Sequence, residues 1–272
     1  MNFRFVEPWH VFLPRQAGHI VGVSGSGGKT TLLEAIAAVW RDDGFGVVAT
    51  TTTRTEPPAS FVTPSPAPTP FVYRHGGERA DGKWEGLPAA VVDGFEAEHP
   101  GCLVVAEVDG AAKLPCKYYR AGEPVWPART SLAIVVMGLG AVGERAGTVV
   151  HRLGRAGVID PVGVGADAVW EWDHQLALLT GPGGYLDQVP AGVPVVLALA
   201  GLEQQPDSVG LFDFTGRAMA DPRLPLVMFC SRGEAGLSVR TACREDLCDD
   251  AGFAGEDELV ADAGPGDDDQ PA

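Results

Sequence analysis

Between Gly25 and Thr31 the chain reads Gly-Ser-Gly-Gly-Lys-Thr-Thr. Glycines let the backbone curl until several N–H groups point into one concavity, which suits an anion. A lysine set directly after them can reach outer phosphates. The hydroxyl that follows can hold Mg²⁺, an ion that keeps most of its waters. Gly25, Ser26, Gly27, Gly28, Lys29, Thr30 and Thr31 are therefore candidate ligands of a nucleoside triphosphate, with Lys29 a catalytic candidate and Thr30 a metal candidate. The strict G-x-x-x-x-G-K-[ST] pattern wants glycine where Val23 stands, so this is a shorter loop of the form G-x-x-G-K-T-T.

A second group follows the apolar run Cys102–Ala106, as Glu107-Val108-Asp109-Gly110. Carboxylates just past a buried strand can hold Mg²⁺ opposite a phosphate-loop threonine. Glu107 and Asp109 are two apart, so an extended strand turns both to one face. Both are catalytic and metal candidates. The threonine run at positions 50–53 could add a further hydroxyl to the metal or the outer phosphate. Thr51, Thr52 and Thr53 all remain open, and Thr52 stands as the metal candidate. Lys113 and Lys117 follow the carboxylates at once and could neutralise an anionic ligand. His151 and Arg152 form another polar pair after an apolar entry, the histidine being a possible acid, base or ligand.

These residues need a scaffold that gathers them. The apolar run ending at Gly25 reads as a strand, and Leu32–Trp40 as the helix opened by the glycine loop, closed near Gly44. Val47–Thr52 is a second buried strand, so strand, helix and strand imply a parallel sheet with a right-handed crossover. Further buried strands are expected at 102–106, 132–137, 193–199 and 224–230, with a helix over 88–99 whose apolar stripe is Val91, Val92 and Phe95. Six prolines between Pro57 and Pro70 exclude a central strand or helix, so 54–72 reads as an exposed loop and 73–87 as an inserted hairpin or excursion. The fold class is α/β, a P-loop NTPase with a mostly parallel sheet of about six strands covered by helices on both faces. Residues 1–248 read as one such domain with an inserted loop at 54–87. Residues 249–272 read as an acidic, disordered tail.

Composition narrows the partners. Of 272 residues, 45% are hydrophobic, enough for a substantial core, yet no apolar run reaches the ~18 residues of a membrane span. No signal-peptide pattern opens the chain, so a cytoplasmic location is expected, with no membrane partner. The net charge of −16 disfavours a nucleic-acid partner, which needs a basic face. Five scattered cysteines lack any C-x-x-C spacing and are expected to be reduced thiols.

Taken in order, G-x-G-G-K-T-T-L, T-T-T-T, E-x-D-G-A-x-K-x-P-x-K, E-P-V-x-P, G-L-x-x-x-G and V-H-R resemble the YqeC-like family over residues 19 to about 155. The short loop also resembles that of the Mur peptide ligases. The family resemblance implies a P-loop NTPase acting in maturation of selenium-dependent molybdenum hydroxylases, with a hydroxylase or its cofactor as partner. It implies a triphosphate on Gly25, Gly28, Lys29 and Thr30, and a metal on Glu107 and Asp109. Lys113, Lys117, Glu123 and the His151–Arg152 pair would line the rest of the site. Two departures stand out. Val108 replaces the family's alanine between the acids. After the fifth strand, Ala200–Asp207 lacks an Asn-Lys guanine reader, which makes ATP the expected nucleotide over another NTP. Two other functions fit the same residues: a nucleotide-gated chaperone for a hydroxylase apoprotein with little turnover, and a Mur-like ATP-dependent ligase.

Overall fold

The computed structural model describes residues 3–58, 61, 70–205, 207–234 and 236–245. The expected acidic tail at 249–272 lies outside them. Among the described residues the strands in chain order are β1 (Phe3–Val6), β2 (Ile20–Gly25), β3 (Gly46–Thr51), β4 (Phe71–Arg74), β5 (Gly77–Glu78), β6 (Trp84–Glu85), β7 (Cys102–Glu107), β8 (Cys116–Lys117), β9 (Thr130–Gly138), β10 (Val150–His151), β11 (Val195–Ala200), β12 (Leu226–Gly233) and β13 (Gly236–Arg244). The helices are α1 (Lys29–Asp42), α2 (Ala89–Asp93), α3 (Phe95–Glu98), α4 (Ala146–Val149), α5 (Trp172–Thr180) and α6 (Ser208–Ala218).

Nine strands form the main sheet in the order β1-β13-β12-β11-β9-β2-β7-β3-β4. From β12 to β4 every pairing is parallel, and β13 and β1 close one edge antiparallel. The six expected strands are all present, within three residues of their expected ends. Alternate residues of each strand feed opposite faces. On one face Val21, Val23, Val105, Ile134 and Val136 pack with Leu32, Leu33, Ile36, Ala37 and Trp40 of α1. On the other, Val135, Met137, Leu197 and Leu199 meet Leu178 and Leu179 of α5 and Phe214 and Ala218 of α6. Each such large side chain contributes about 1.5–3 kcal/mol by leaving water. The mostly parallel, doubly covered sheet of the sequence reading is thus what forms.

The strand count is larger than about six because the edges carry weak signals. Across the boundary between the stretch read as an exposed loop and the one read as an excursion, Phe71–Arg74 pairs with β3 as an outer strand. It is free of proline, and Phe71 and Tyr73 pack onto the α1 side. Next to it, β5 and β6 form the expected small hairpin. The helix expected over 88–99 is broken at Gly94 into α2 and α3. Val92 and Phe95 are buried, but Val91 is 38% exposed and leaves the stripe. Helix α1 ends as expected: Gly44 adopts φ 87°, with Gly44 N–H bonded to Arg41 O and Phe45 N–H to Trp40 O, both at 2.9 Å. Cys102, Cys116 and Cys230 are free thiols, whereas Cys243 is disulfide-bonded, contrary to expectation, a bond that no C-x-x-C spacing signals.

The topology places the site. From β2 the chain crosses outward to β3 and β4, returns to β7, then moves past β2 to β9, β11 and β12. The order therefore reverses at β2, and open α/β sheets bind ligands in the crevice at the carboxyl ends of strands beside such a reversal.

Candidate functional site

The glycine loop lies at that crevice. Gly25, Gly27 and Gly28 have φ of 94°, 83° and 133°, a region closed to most side chains. Contact enforces the choice as well: a Cβ on Gly25 would lie 2.0 Å from Val136 O, and one on Gly27 2.7 Å from Gly138 Cα. The loop is thus pressed onto the end of β9. Its first two residues are spent on the protein. Gly25 N–H donates to Asp109 Oδ2 (2.8 Å), Ser26 N–H to Val136 O (2.9 Å), and the Ser26 hydroxyl bonds the Tyr185 hydroxyl (2.9 Å). From Gly27 onward the loop lines a cleft of about 850 Å³, together with Lys29, Thr30 and Thr31. No side chain caps α1 and no acidic residue occupies its first turn, so its leading N–H groups and dipole face that cleft.

Lys29 sits between the two carboxylates. Its Nζ donates to Gly25 O at 2.9 Å and lies 3.3 Å from Asp109 Oδ1 and 3.5 Å from Glu107 Oε1. Burial works against the ammonium, but the facing Asp109 and Glu107 outweigh it and raise its pKa. Glu107 ends β7 and reaches the cleft. Its Oε2 accepts from the Thr30 hydroxyl (3.3 Å) and the Thr55 hydroxyl (3.4 Å). Burial lifts its pKa above the usual carboxylate range, despite the pull of Lys29.

Asp109 is placed differently. It is 0% exposed and does not line the cleft. Its Oδ2 accepts from Gly25 N–H, from the Tyr119 hydroxyl at 2.7 Å and from Lys117 Nζ at 2.8 Å. Burial opposes its charge, yet Lys117 and Lys29 hold its pKa below the ordinary value. Lys117, also 0% exposed, donates to Gly110 O (2.9 Å) and stands 4.3 Å over the Tyr119 ring. It is an internal strut rather than a lining residue.

At Lys117 burial wins, because it shares one carboxylate with Lys29, and its pKa falls to about 8. The unfolded chain holds that proton to about 10.4. Between these values the unfolded state binds more protons, so folding stability rises with pH. The gain, complete above about 10.4 and lost as pH falls through 8, is at most about 3 kcal/mol. Urea denaturation at pH 7 and pH 10 is expected to show this rise in the native chain and a flatter dependence in Lys117→Met.

The other candidates divide between two neighbouring clefts. Lys113, 78% exposed in its side chain, pairs with Glu56 at 2.9 Å on the rim of the glycine-loop cleft. Thr52 turns away from Glu107, its hydroxyl donating to Val125 O at 2.8 Å, and lines a second cleft of about 680 Å³ with His151 and Arg152. Burial lowers the His151 pKa, and the adjacent Arg152 adds to the effect. Arg152 is bound through both Nη atoms to Glu123, with Nη2–Oε1 at 3.1 Å. Thr55 is the hydroxyl the sequence reading missed. It stands just past the threonine run, where an isolated bridge to Trp84 fixes it. Arg54, Gln204 and Arg232 also line the glycine-loop cleft and were not candidates.

A mostly parallel, doubly covered α/β sheet with a lysine-bearing glycine loop and a strand-end carboxylate at its crossover reversal defines the class. The chain belongs to the YqeC family. The family model described as YqeC protein matches residues 21–154, which include the glycine loop, both carboxylates and the His151–Arg152 pair. The "Uncharacterized protein YqeC" of Escherichia coli (strain K12) is 30% identical over 188 residues, covering 64% of this chain and 72% of that protein. Among the described residues no helix is long and apolar enough to cross a membrane.

Proposed function

We propose that the glycine-loop cleft binds Mg-ATP, or another NTP, and that the chain is an accessory NTPase in maturation of selenium-dependent molybdenum hydroxylases. The observation that carries the nucleotide reading is the meeting of Lys29, the Thr30 hydroxyl and Glu107 at the uncapped start of α1. The hydroxylase setting is supported by the family resemblance.

The donor set fits a magnesium ion that arrives with its nucleotide. Among the described residues no cluster of three or more His, Cys, Asp or Glu is arranged for a metal. Mg²⁺ needs less than that: one or two protein oxygens, with phosphates and waters completing its shell. Thr30 and Glu107 would supply them, and the ion would neutralise charge building on the phosphates. Lys29 would then leave its carboxylates for the outer phosphate. Asp109 would act indirectly, holding Gly25 and Lys117 so that the loop keeps its curve. Catalysis of this kind rests on positioning and charge, with little covalent work for the protein.

A second reading draws on Thr55 and Glu56. Both line the cleft, and Thr55 bonds Glu107, so a nucleotide that claims Glu107 would release the segment leading into the proline-rich stretch. That is how a nucleotide gates a partner-binding surface.

Calorimetric titration with ATP, with and without Mg²⁺, tests the site. The native chain is expected to bind Mg-ATP, and Thr30→Val is expected to lose about tenfold of the Mg²⁺-dependent part while binding free ATP almost as before. A native chain that binds no nucleotide sinks the reading. Steady phosphate release by the chain alone supports the NTPase. Release only when a molybdenum hydroxylase is added supports the gated chaperone.

A further inference from the structure

The second cleft shares Arg54, Lys83, Gly110 and Ala112 with the glycine-loop cleft, so the two lie side by side. Its charge is opposite to that of the whole molecule. Arg54, Lys83, Arg120 and Arg152 line it against only Glu85 and Glu123, in a chain of net charge −16. Glu85 is drawn away by Arg79 at 3.3 Å. Glu123 serves two arginines, its Oε1 accepting from Arg120 Nη2 (2.9 Å) and Arg152 Nη2 (3.1 Å). Among the described residues no carboxylate pairs with Arg54, which is exposed on the wall common to both clefts. Cations gathered this way repel one another unless an anion lies between them.

The arrangement is also held stiffly. Among the described residues only Ala112, Lys113 and Arg152 are non-glycine residues with positive φ, at 50°, 63° and 70°. Each lines one or both clefts. Strained backbone of this sort persists where its surroundings fix it, and it concentrates at ligand sites. At Arg152 the fixing groups are visible. Val150 and His151 pair with Cys116 and Lys117, Tyr118 N–H donates to His151 O (3.0 Å), and Glu123 grips the guanidinium.

We propose that this second cleft binds a small molecule carrying a phosphate monoester and presents it beside the triphosphate held by the glycine loop. Guanidinium forks match phosphate oxygens in pairs. A phosphate monoester is nearly dianionic at neutral pH and offers three acceptor oxygens, which suits the guanidinium groups of Arg54 and Arg120. The inference deepens the nucleotide reading, since it supplies that site with a second, anionic substrate.

The test uses the full chain and inorganic phosphate as the probe, titrated calorimetrically with and without a saturating non-hydrolysable Mg-ATP analogue. Phosphate is expected to bind in both cases. The double variant Arg54→Gln/Arg120→Gln is expected to weaken it about tenfold or more. Arg120→Gln alone, at a residue that does not line the glycine-loop cleft, is expected to leave the analogue's affinity within about threefold. Competition between phosphate and the analogue would place the probe in the glycine loop and overturn the proposal. So would unchanged affinity in the double variant, or no phosphate binding at all. Citrate binding about tenfold tighter than phosphate, with the same arginine dependence, would overturn the phosphate assignment. Should the analogue itself fail to bind, the nucleotide reading fails alone, and the phosphate titrations of the chain without nucleotide still decide on the second cleft.

Discussion

Asp109→Asn is expected to cost the fold about 3–5 kcal/mol. The reason lies in what the carboxylate holds. Two buried ammonium groups face it, Lys117 at 2.8 Å and Lys29 at 3.3 Å. An asparagine keeps the size and one acceptor oxygen, but removes the negative charge and adds two donors beside existing ones. Lys117, already brought down to about 8, then loses the acid that favours its charge, so folding must strip a proton that the unfolded chain keeps, and it leaves the lysine buried without its partner. Gly25 N–H and the Tyr119 hydroxyl would compete for the one remaining acceptor, so the glycine loop should loosen too. Urea denaturation gives the first effect, and hydrogen exchange of the loop amides the second. A loss below about 1 kcal/mol would mean that Lys117 is not held as described.

Lys29→Ala is expected to lower Mg-ATP affinity by about a hundredfold or more, on the order of 2.7 kcal/mol. Unlike Asp109, Lys29 can be removed without stranding an unpaired buried charge of the opposite sign. Asp109 keeps Lys117 as its counterion. Glu107 is already biased toward its protonated form by burial, so it can accept a proton in place of the lysine. A folded variant that fails to bind is therefore the expected product, and thermal denaturation above the assay temperature verifies the fold. Undiminished binding by a folded Lys29→Ala would falsify the nucleotide reading. Asp109→Asn and Lys29→Ala thus separate two duties of one cluster: the first fails mainly in stability, the second mainly in binding.

What the residue order revealed, and what it hid, follows from range. The buried parallel strands were legible because strands covered on both faces need continuous apolar runs, as in Cys102–Ala106 and Leu132–Met137. The glycine loop was legible because its chemistry is local. The outer strands β1 and β4 are short and mix charge with aromatics, and nothing in Phe3-Arg4-Phe5-Val6 says where a partner will be. Strand β13 did carry a signal: Leu237, Val239, Thr241 and Cys243 alternate with Ser238 and Arg240, the period of a half-covered strand. The site divides in the same way. Two acids spaced by one residue promised a common face, and both do meet Lys29. That Asp109 is sealed inside while Glu107 opens to the cleft depends on Tyr119, ten residues on, which bonds it, and on Tyr185 from a distant part of the chain, whose ring packs on Tyr119. The hydroxyl that joins Thr30 beside Glu107 belongs to Thr55 rather than Thr52 because the backbone turns after β3, and a run of threonines carries no mark of where it will bend.

The pairing of β1 with β13 sets a timetable for assembly. Phe3 lies opposite Arg244, and Val6 opposite Thr241, so β1 gains its neighbour only after the more than two hundred residues between them have emerged. Closing so long a loop is entropically slow, and the interior strands can pair well before that. Until then Phe3–Val6 stays without its ladder, so a change that weakens β1 would burden this late closure rather than the crevice where ligands bind.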